Sequence, residues 1–210
     1  MFKKKDFDIL IVCGASGTGK TNIAYQLGEY YKMNIVQVDD FQCIIESATK
    51  EADYPVFHYW KEHFEEAIQQ PMDKKLEIMI SYANTLSQFI EIVVLNHLEE
   101  NRPMIIEGDF ITPDLCNKLK NNPEINKRIK CILITEDSKE QIVQNYQKRE
   151  GSIQEDRAEL SNRYNNWLHN EASKYGISTV PSRPWRSVRK RAIKSIKEKL
   201  NICVLTTAST

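Results

Sequence analysis

No charge of either sign prevails in this chain: 29 Lys and Arg balance 29 Asp and Glu over 210 residues. Nucleic-acid affinity rests on phosphate contacts and needs an excess of Lys and Arg, so a general polyanion-binding surface is not expected, although a local basic site stays open. Cysteine pairs of the C-x-x-C kind are missing. Cys13, Cys43, Cys116, Cys131 and Cys203 are scattered and odd in number, which argues against a zinc site and a disulfide framework and for reduced thiols. Internal repeats and low-complexity tracts are absent. The basic start, Met1 to Asp6, leads into an apolar run of only Ile9 to Cys13, too short for a signal sequence. No segment reads as a membrane span, and a cytoplasmic protein is expected. His58 and His63 lack the spacing or companions of a metal site. His97 falls on an apolar helical stripe, where a core histidine is expected.

What is present suits one well-buried domain with room for a lid or inserted subdomain. Asp8 to Cys13 is a continuous apolar run rich in β-branched residues, as in a strand covered on both faces. Beyond a glycine loop, the patterning predicts a helix over 22–32, a strand over 34–38 and a helix over 41–48. An aromatic loop is expected over 53–60. The spacing of Leu76, Met79, Ala83, Leu86, Ile90, Val93 and His97 predicts a long helix over 73–100. A third strand and its exit fall at 102–109. Thr112 and Pro113 then start a helix as N-cap and first helical residue. A fourth strand over 128–135 precedes a helix to about Arg149, opened by an Asp137/Glu140 capping box. Gly151 breaks it, and a helix over 154–175, a strand over 177–181 and a helix over 185–200 follow. The tail, Thr206 to Thr210, is expected to fray. This alternation implies an α/β fold of three layers, α/β/α, around a five-stranded parallel sheet. Ligands bind such sheets at the carboxyl ends of the strands.

The most informative strand end is the first. Gly14, Ala15, Ser16, Gly17, Thr18, Gly19, Lys20 and Thr21 match G-x-x-x-x-G-K-S/T without a mismatch. Glycines let successive N–H groups point into one cavity, and the helix opening at Lys20 adds the positive end of its dipole. The pattern therefore predicts a phosphate loop for a nucleoside triphosphate, with Lys20 on the β- and γ-phosphates and Thr21 on Mg²⁺. No N-K-x-D stretch of the guanine-reading kind occurs.

With this loop the chain resembles P-loop small-molecule kinases of the nucleoside-monophosphate-kinase-like group, in the style of 2-phosphoglycerate kinase, chloramphenicol phosphotransferase, zeta toxins and uridine-kinase-like enzymes. The resemblance spans roughly residues 6–195 in layout. It implies a P-loop NTPase fold with a core of 1–41 and 102–205, a lid at about 149–163, and a helical acceptor-binding insertion at 42–101. Similar kinases place an acidic residue after the second strand to align or deprotonate the acceptor hydroxyl; Asp39 fits that role, with Asp40 beside it as a helix cap or substrate-side partner. Glu107, in Ile105-Ile-Glu-Gly-Asp109, would hold the Mg²⁺ shell or substrate, with Asp109 as its substitute. The segment departs from a plain Walker B, which ends in Asp directly after its apolar run. Arg149 and Arg157, from a basic stretch that includes Lys148 and Arg163, would neutralise charge on the transferred group; the alternative is a solvated face interleaved with Glu150, Glu155, Asp156 and Glu159. Arg183 or Trp185 would stack on the base, unless Trp185 packs under the last helix. Tyr54, Phe57, His58, Tyr59, Trp60 and His63 either wall the acceptor pocket or anchor the insertion. The resemblance implies an ATP- and Mg²⁺-dependent phosphotransferase acting on a hydroxyl of a small molecule, without nucleic acid or membrane as partner. The rival readings are a zeta-toxin-like or nucleic-acid-end kinase, and a nucleotide-dependent regulatory ATPase switch with 73–100 as a partner surface.

Overall fold

A computed structural model describes residues 5–198. Met1 to Lys4, Cys203, the expected helix end at Leu200 and the tail Thr206 to Thr210 lie outside the described residues. Five strands, β1 (Ile9–Cys13), β2 (Asn34–Gln37), β3 (Met104–Gly108), β4 (Ile129–Thr135) and β5 (Ser178–Pro181), pair in parallel in the order β2-β3-β1-β4-β5. The order reverses at β1. The connection after β1, the helix Lys20–Tyr31, covers one face of the sheet and that after its neighbour β3, the helix Pro113–Asn121, covers the other, which opens a crevice at the strands' carboxyl ends.

Alternation along the strands divides the core into two layers. Ile9, Ile11 and Cys13 face one cluster with Met104, Ile106 and Leu133; Leu10 and Val12 face the other with Ile105, Ile132 and Ile134. The second face is covered by α1 (Lys20–Tyr31) and α9 (Val188–Lys197), through Ile23, Leu27, Val188 and Ile196. The first is covered by α5 (Met72–Glu99), α6 (Pro113–Asn121) and α8 (Glu155–Lys174), through Leu86, Ile90, Leu115 and Leu168. Truncating a fully buried leucine such as Leu86 to Ala would cost about 2–5 kcal/mol.

Several local expectations are corrected. The 53–60 loop is helical: α3 (Pro55–Glu62) starts with Pro55 in its first turn and α4 (Phe64–Gln69) follows. Packing overrides weak aromatic helix propensity here, since Phe57 is buried edge-on to Tyr82 at 5.0 Å. The helix after β4, α7 (Lys139–Glu150), is capped by Ser138, whose hydroxyl accepts from the Gln141 amide at 3.2 Å; Asp137 is not the cap. On α5 the buried row is Leu86, Ile90, Val94 and Leu98, a four-residue ridge, so Val93 and His97 sit beside it rather than on it. His97 is half-buried, its Nδ1 3.0 Å from the Arg102 carbonyl at the turn into β3. Helix α5 is also long and apolar enough to cross a membrane by length and composition. That contradicts the expectation of no such segment. Core helices meet the same criterion, and this one lays its buried row against the sheet and α8.

Candidate active site

The phosphate loop fills the bend between β1 and α1. Gly17 (φ 78°) and Gly19 (φ 87°) occupy the left-handed region that side chains disfavour. Space adds a second constraint: a Cβ on Gly17 would come within 2.8 Å of the Ile142 side chain, and one on Gly19 would strike the Trp185 ring. Gly19 caps α1 without a side-chain bond, and the first turn holds no acidic residue. The leading amides of α1 are therefore left for an anionic ligand. The loop is tied from outside. Asn145 Nδ2 donates to the Gly17 carbonyl at 2.7 Å and the Ser161 hydroxyl to the Ser16 carbonyl at 2.5 Å, while the Thr18 hydroxyl donates to the Ala15 carbonyl at 2.9 Å.

Two cavities flank this loop. One, of about 370 Å³, is lined by Gly17, Gly19, Lys20, Thr21, Arg149 and Arg183, together with Asn145, Lys148 and Trp185. The other, of about 350 Å³, is lined by Ser16, Asp39, Gln42, Trp60, Asp109 and Arg157, with Met79, Phe110 and Tyr146 among its walls. Lys20 joins them: it lines the first, and its ammonium is ion-paired with Asp109, which lines the second.

Three carboxylates surround that ammonium. Burial works against the Lys20 charge, but Asp109, Glu107 and Asp39 outweigh it and raise its pKa. Burial raises the Glu107 pKa, helped by Asp109 and Asp39 and opposed by Lys20 and by a hydrogen bond from Thr21. Asp39 sits at the open rim of its cavity; desolvation by its neighbours, then the Asp109 charge, raises its pKa against the pull of Lys20 and Arg149. Asp39 and Asp40 lie in the first turn of α2 (Val38–Ala48), whose N-cap is Gln37, so neither aspartate is the cap. Asp40 is exposed and lines neither cavity. The Thr21 hydroxyl donates to Glu107 Oε2 at 3.3 Å. A hydroxyl and a buried carboxylate are hard oxygen donors beside a phosphate cradle, which fits Mg²⁺, an ion that completes its shell with phosphate and water. Among the described residues no cluster of three His, Cys, Asp or Glu could hold a metal unaided.

The basic stretch divides by position. Arg149 lines the Lys20 cavity and Arg157 the Asp39 cavity, and both guanidiniums are held by Glu150, at 2.6 and 2.8 Å. They stack on the Tyr146 ring, at 5.2 and 4.5 Å from its centroid. Arg163 instead joins Asp73 and Glu159, tying α8 to α5. Trp185 is 36% exposed and lies against Gly19 and the Arg183 guanidinium, so it walls the cavity instead of packing under the last helix. Of the aromatic segment only Trp60 reaches a cavity beside the loop. Tyr54 and Phe57 pack on Phe89, the His58 ring bonds Thr49 at 3.1 Å, and His63 bonds Glu51 at 2.5 Å. Tyr59 stacks on His63. Gln42, Phe110, Asn145, Tyr146 and Ser161 carry no local motif; only tertiary placement reveals them. Glu136 did have a signal, as an acid directly after the fourth strand.

No family model matches the sequence, and no curated protein matches it. Solved structures do match. TT1252 from Thermus thermophilus aligns over 91% of this chain and 97% of its own at a TM-score of 0.55 and 14% identity. A gluconokinase from Sinorhizobium meliloti 1021 aligns over 92% and 93%, at 0.53 and 12% identity. A sugar kinase from Janibacter sp. HTCC2649 aligns over 90% and 93%, at 0.51 and 16% identity. The chain shares their fold, a five-stranded parallel sheet between helical layers, as the sequence implied.

Proposed function

We propose that this protein is an ATP- and Mg²⁺-dependent kinase that moves the γ-phosphate to a hydroxyl of a small acceptor. The observation that carries the reading is the pair of cavities meeting at Lys20 and Asp109. A hydrolytic switch needs one nucleotide cavity; transfer needs a second chamber ending in a carboxylate beside the phosphates. Gly14 to Gly19 and Lys20 bind the triphosphate. Asp39 aligns the acceptor hydroxyl and takes its proton as the new O–P bond forms and the β–γ bridge breaks to release ADP. A carboxylate of raised pKa is the better proton acceptor. Arg149 and Arg157 stabilise the transferred group from the two sides. Thr21 and Glu107 would hold Mg²⁺, which when bound neutralises phosphate charge.

In this reading the described residues of 1–41 and 102–205 form the core. Residues 42–101 supply the acceptor wall through Gln42, Trp60 and Met79, and the turn at Gly151 is the hinge of a lid over 149–163. The structurally similar proteins named as a gluconokinase and a sugar kinase support a polyhydroxylated acceptor. The test is ADP release with Mg-ATP against a panel of sugars, polyols and nucleosides. At least one acceptor should stimulate release and emerge phosphorylated. Lys20→Ala should abolish transfer, and Asp39→Asn should keep ATP binding while transfer falls about 10²–10⁴-fold. ADP release that no acceptor alters would replace the kinase reading with a hydrolase.

A further inference from the structure

Directly after β4 stands a buried carboxylate that the phosphate chemistry leaves unused. Glu136 is 4% exposed. Its Oε2 accepts from the Ser182 hydroxyl at 2.7 Å and from Arg183 Nε at 3.2 Å, and its Oε1 accepts weakly from the Ser138 amide at 3.4 Å. Its backbone is clamped from α8: the Glu136 N–H donates to Asn165 Oδ1 at 3.2 Å, and Asn165 Nδ2 donates to the Glu136 carbonyl at 3.0 Å. Ser161, one turn earlier on the same helix, holds the phosphate loop. One helix thus fixes both Glu136 and the loop.

We infer that Glu136 is a positioning residue for the base of the donor nucleotide: it holds the Arg183 guanidinium over Trp185, forming a flat clamp at the end of the Lys20 cavity. Arg183 lies 5.5 Å from the Trp185 ring, both line that cavity, and Trp185 abuts Gly19. A guanidinium plane and an indole offer stacking surfaces to a heteroaromatic ring. The backbone of this segment is secured separately. Arg191 donates to the carbonyls of Pro181, Arg183 and Pro184 at 2.6, 2.8 and 3.1 Å, and the Ser182 amide donates to the Thr135 carbonyl at 2.7 Å. Glu136 therefore sets where the Arg183 side chain goes, not whether the segment folds.

The inference rests on the triphosphate reading, and base-free triphosphate separates the two. Calorimetry with Mg²⁺ would compare ATP and inorganic tripolyphosphate on the full chain. Glu136→Gln should weaken ATP about tenfold and leave tripolyphosphate within twofold of wild type. Arg183→Ala should do the same, and the double variant should be no weaker than Arg183→Ala alone, because the two residues act as one unit. Ser182→Ala loosens the same carboxylate with less risk to folding and should lose part of the same ATP-selective affinity. Equal losses for both ligands, no loss for ATP in Ser182→Ala and Glu136→Gln, or multiplied losses in the double variant would overturn the positioning role. Wild type that binds neither ligand would remove the triphosphate reading, and this inference with it.

Discussion

Lys20 and Asp109 are paired across the seam between the two cavities, so one ammonium is shared between the phosphate cradle and the carboxylate opposite. Asp109 is also among the charges that raise the pKa of both Asp39 and Glu107. Under the kinase reading a triphosphate entering the cradle would compete with Asp109 for Lys20, linking filling of one chamber to the electrostatics of the other.

That link predicts a pH effect. Under the kinase reading Asp39 must be deprotonated to accept a proton, so transfer should fall on the acid side as pH drops through its raised pKa. Removing the Asp109 charge lowers that pKa. In Asp109→Asn the acid limb of kcat against pH should move to lower pH, whatever happens to the maximal rate. A limb that stays in place or moves up would separate Asp109 from Asp39.

The same carboxylates predict a stability cost. Glu107 has a folded pKa above its ordinary value, so its contribution to apo stability is present below the ordinary carboxylate range and is lost as pH rises through the folded value. Glu107→Gln has no charge to bury. Its melting temperature should exceed that of wild type at pH 8 by a few degrees, at about 2–4 °C per kcal/mol for a chain of this size. The gap should close toward pH 4, and Mg²⁺ should stabilise the variant's nucleotide complex less. Scanning fluorimetry across pH checks both; a gap that widens toward acid would reverse the assignment.

Arg149 and Arg157 share Glu150 but face different chambers. Glu150 is held at a pKa of about 2, first by its bond from Gln154 and then by Arg149, so it stays charged at working pH and grips both guanidiniums. Under the kinase reading, Arg149→Ala should chiefly raise KM for ATP and Arg157→Ala chiefly KM for the acceptor. Each should lower kcat by about 10–10³-fold if it also stabilises the transferred group. Identical kinetic signatures for the two variants would show that the chambers do not divide as described.

The legible parts of this molecule were the ones with a local cause. β1, the glycine loop and α1 are written in consecutive residues because a phosphate cradle needs one bend of fixed chemistry. The acids at Asp39, Glu107 and Asp109 were found because strand ends converge in a parallel sheet. Helices α3 and α4 were not legible, since Phe57 becomes helical by packing against Tyr82 from α5. Asn145 and Ser161 were equally hidden: each is an unremarkable polar residue until α7 and α8 fold back onto the loop. Glu150 is exposed, as a solvated charged face would have it; what the sequence hides is its second partner, because Arg149 is adjacent but Arg157 reaches it only across the Gly151 turn.

The tryptophans give each chamber its own reporter. Trp185 lies against Gly19 at the Lys20 cavity, Trp60 lines the Asp39 cavity, and Trp167 stacks on Tyr164 at 5.5 Å, away from both. Ligand entry changes the polarity around an indole that faces the cavity and leaves alone the half-buried Trp167, which lines neither chamber. Mg-ATP should therefore shift intrinsic fluorescence through Trp185, and Trp185→Phe should remove most of that response while Trp60→Phe leaves it. An acceptor found by the ADP assay should show the opposite pattern. If ATP quenching survived in Trp185→Phe and vanished in Trp60→Phe, the donor and acceptor chambers would have to be exchanged.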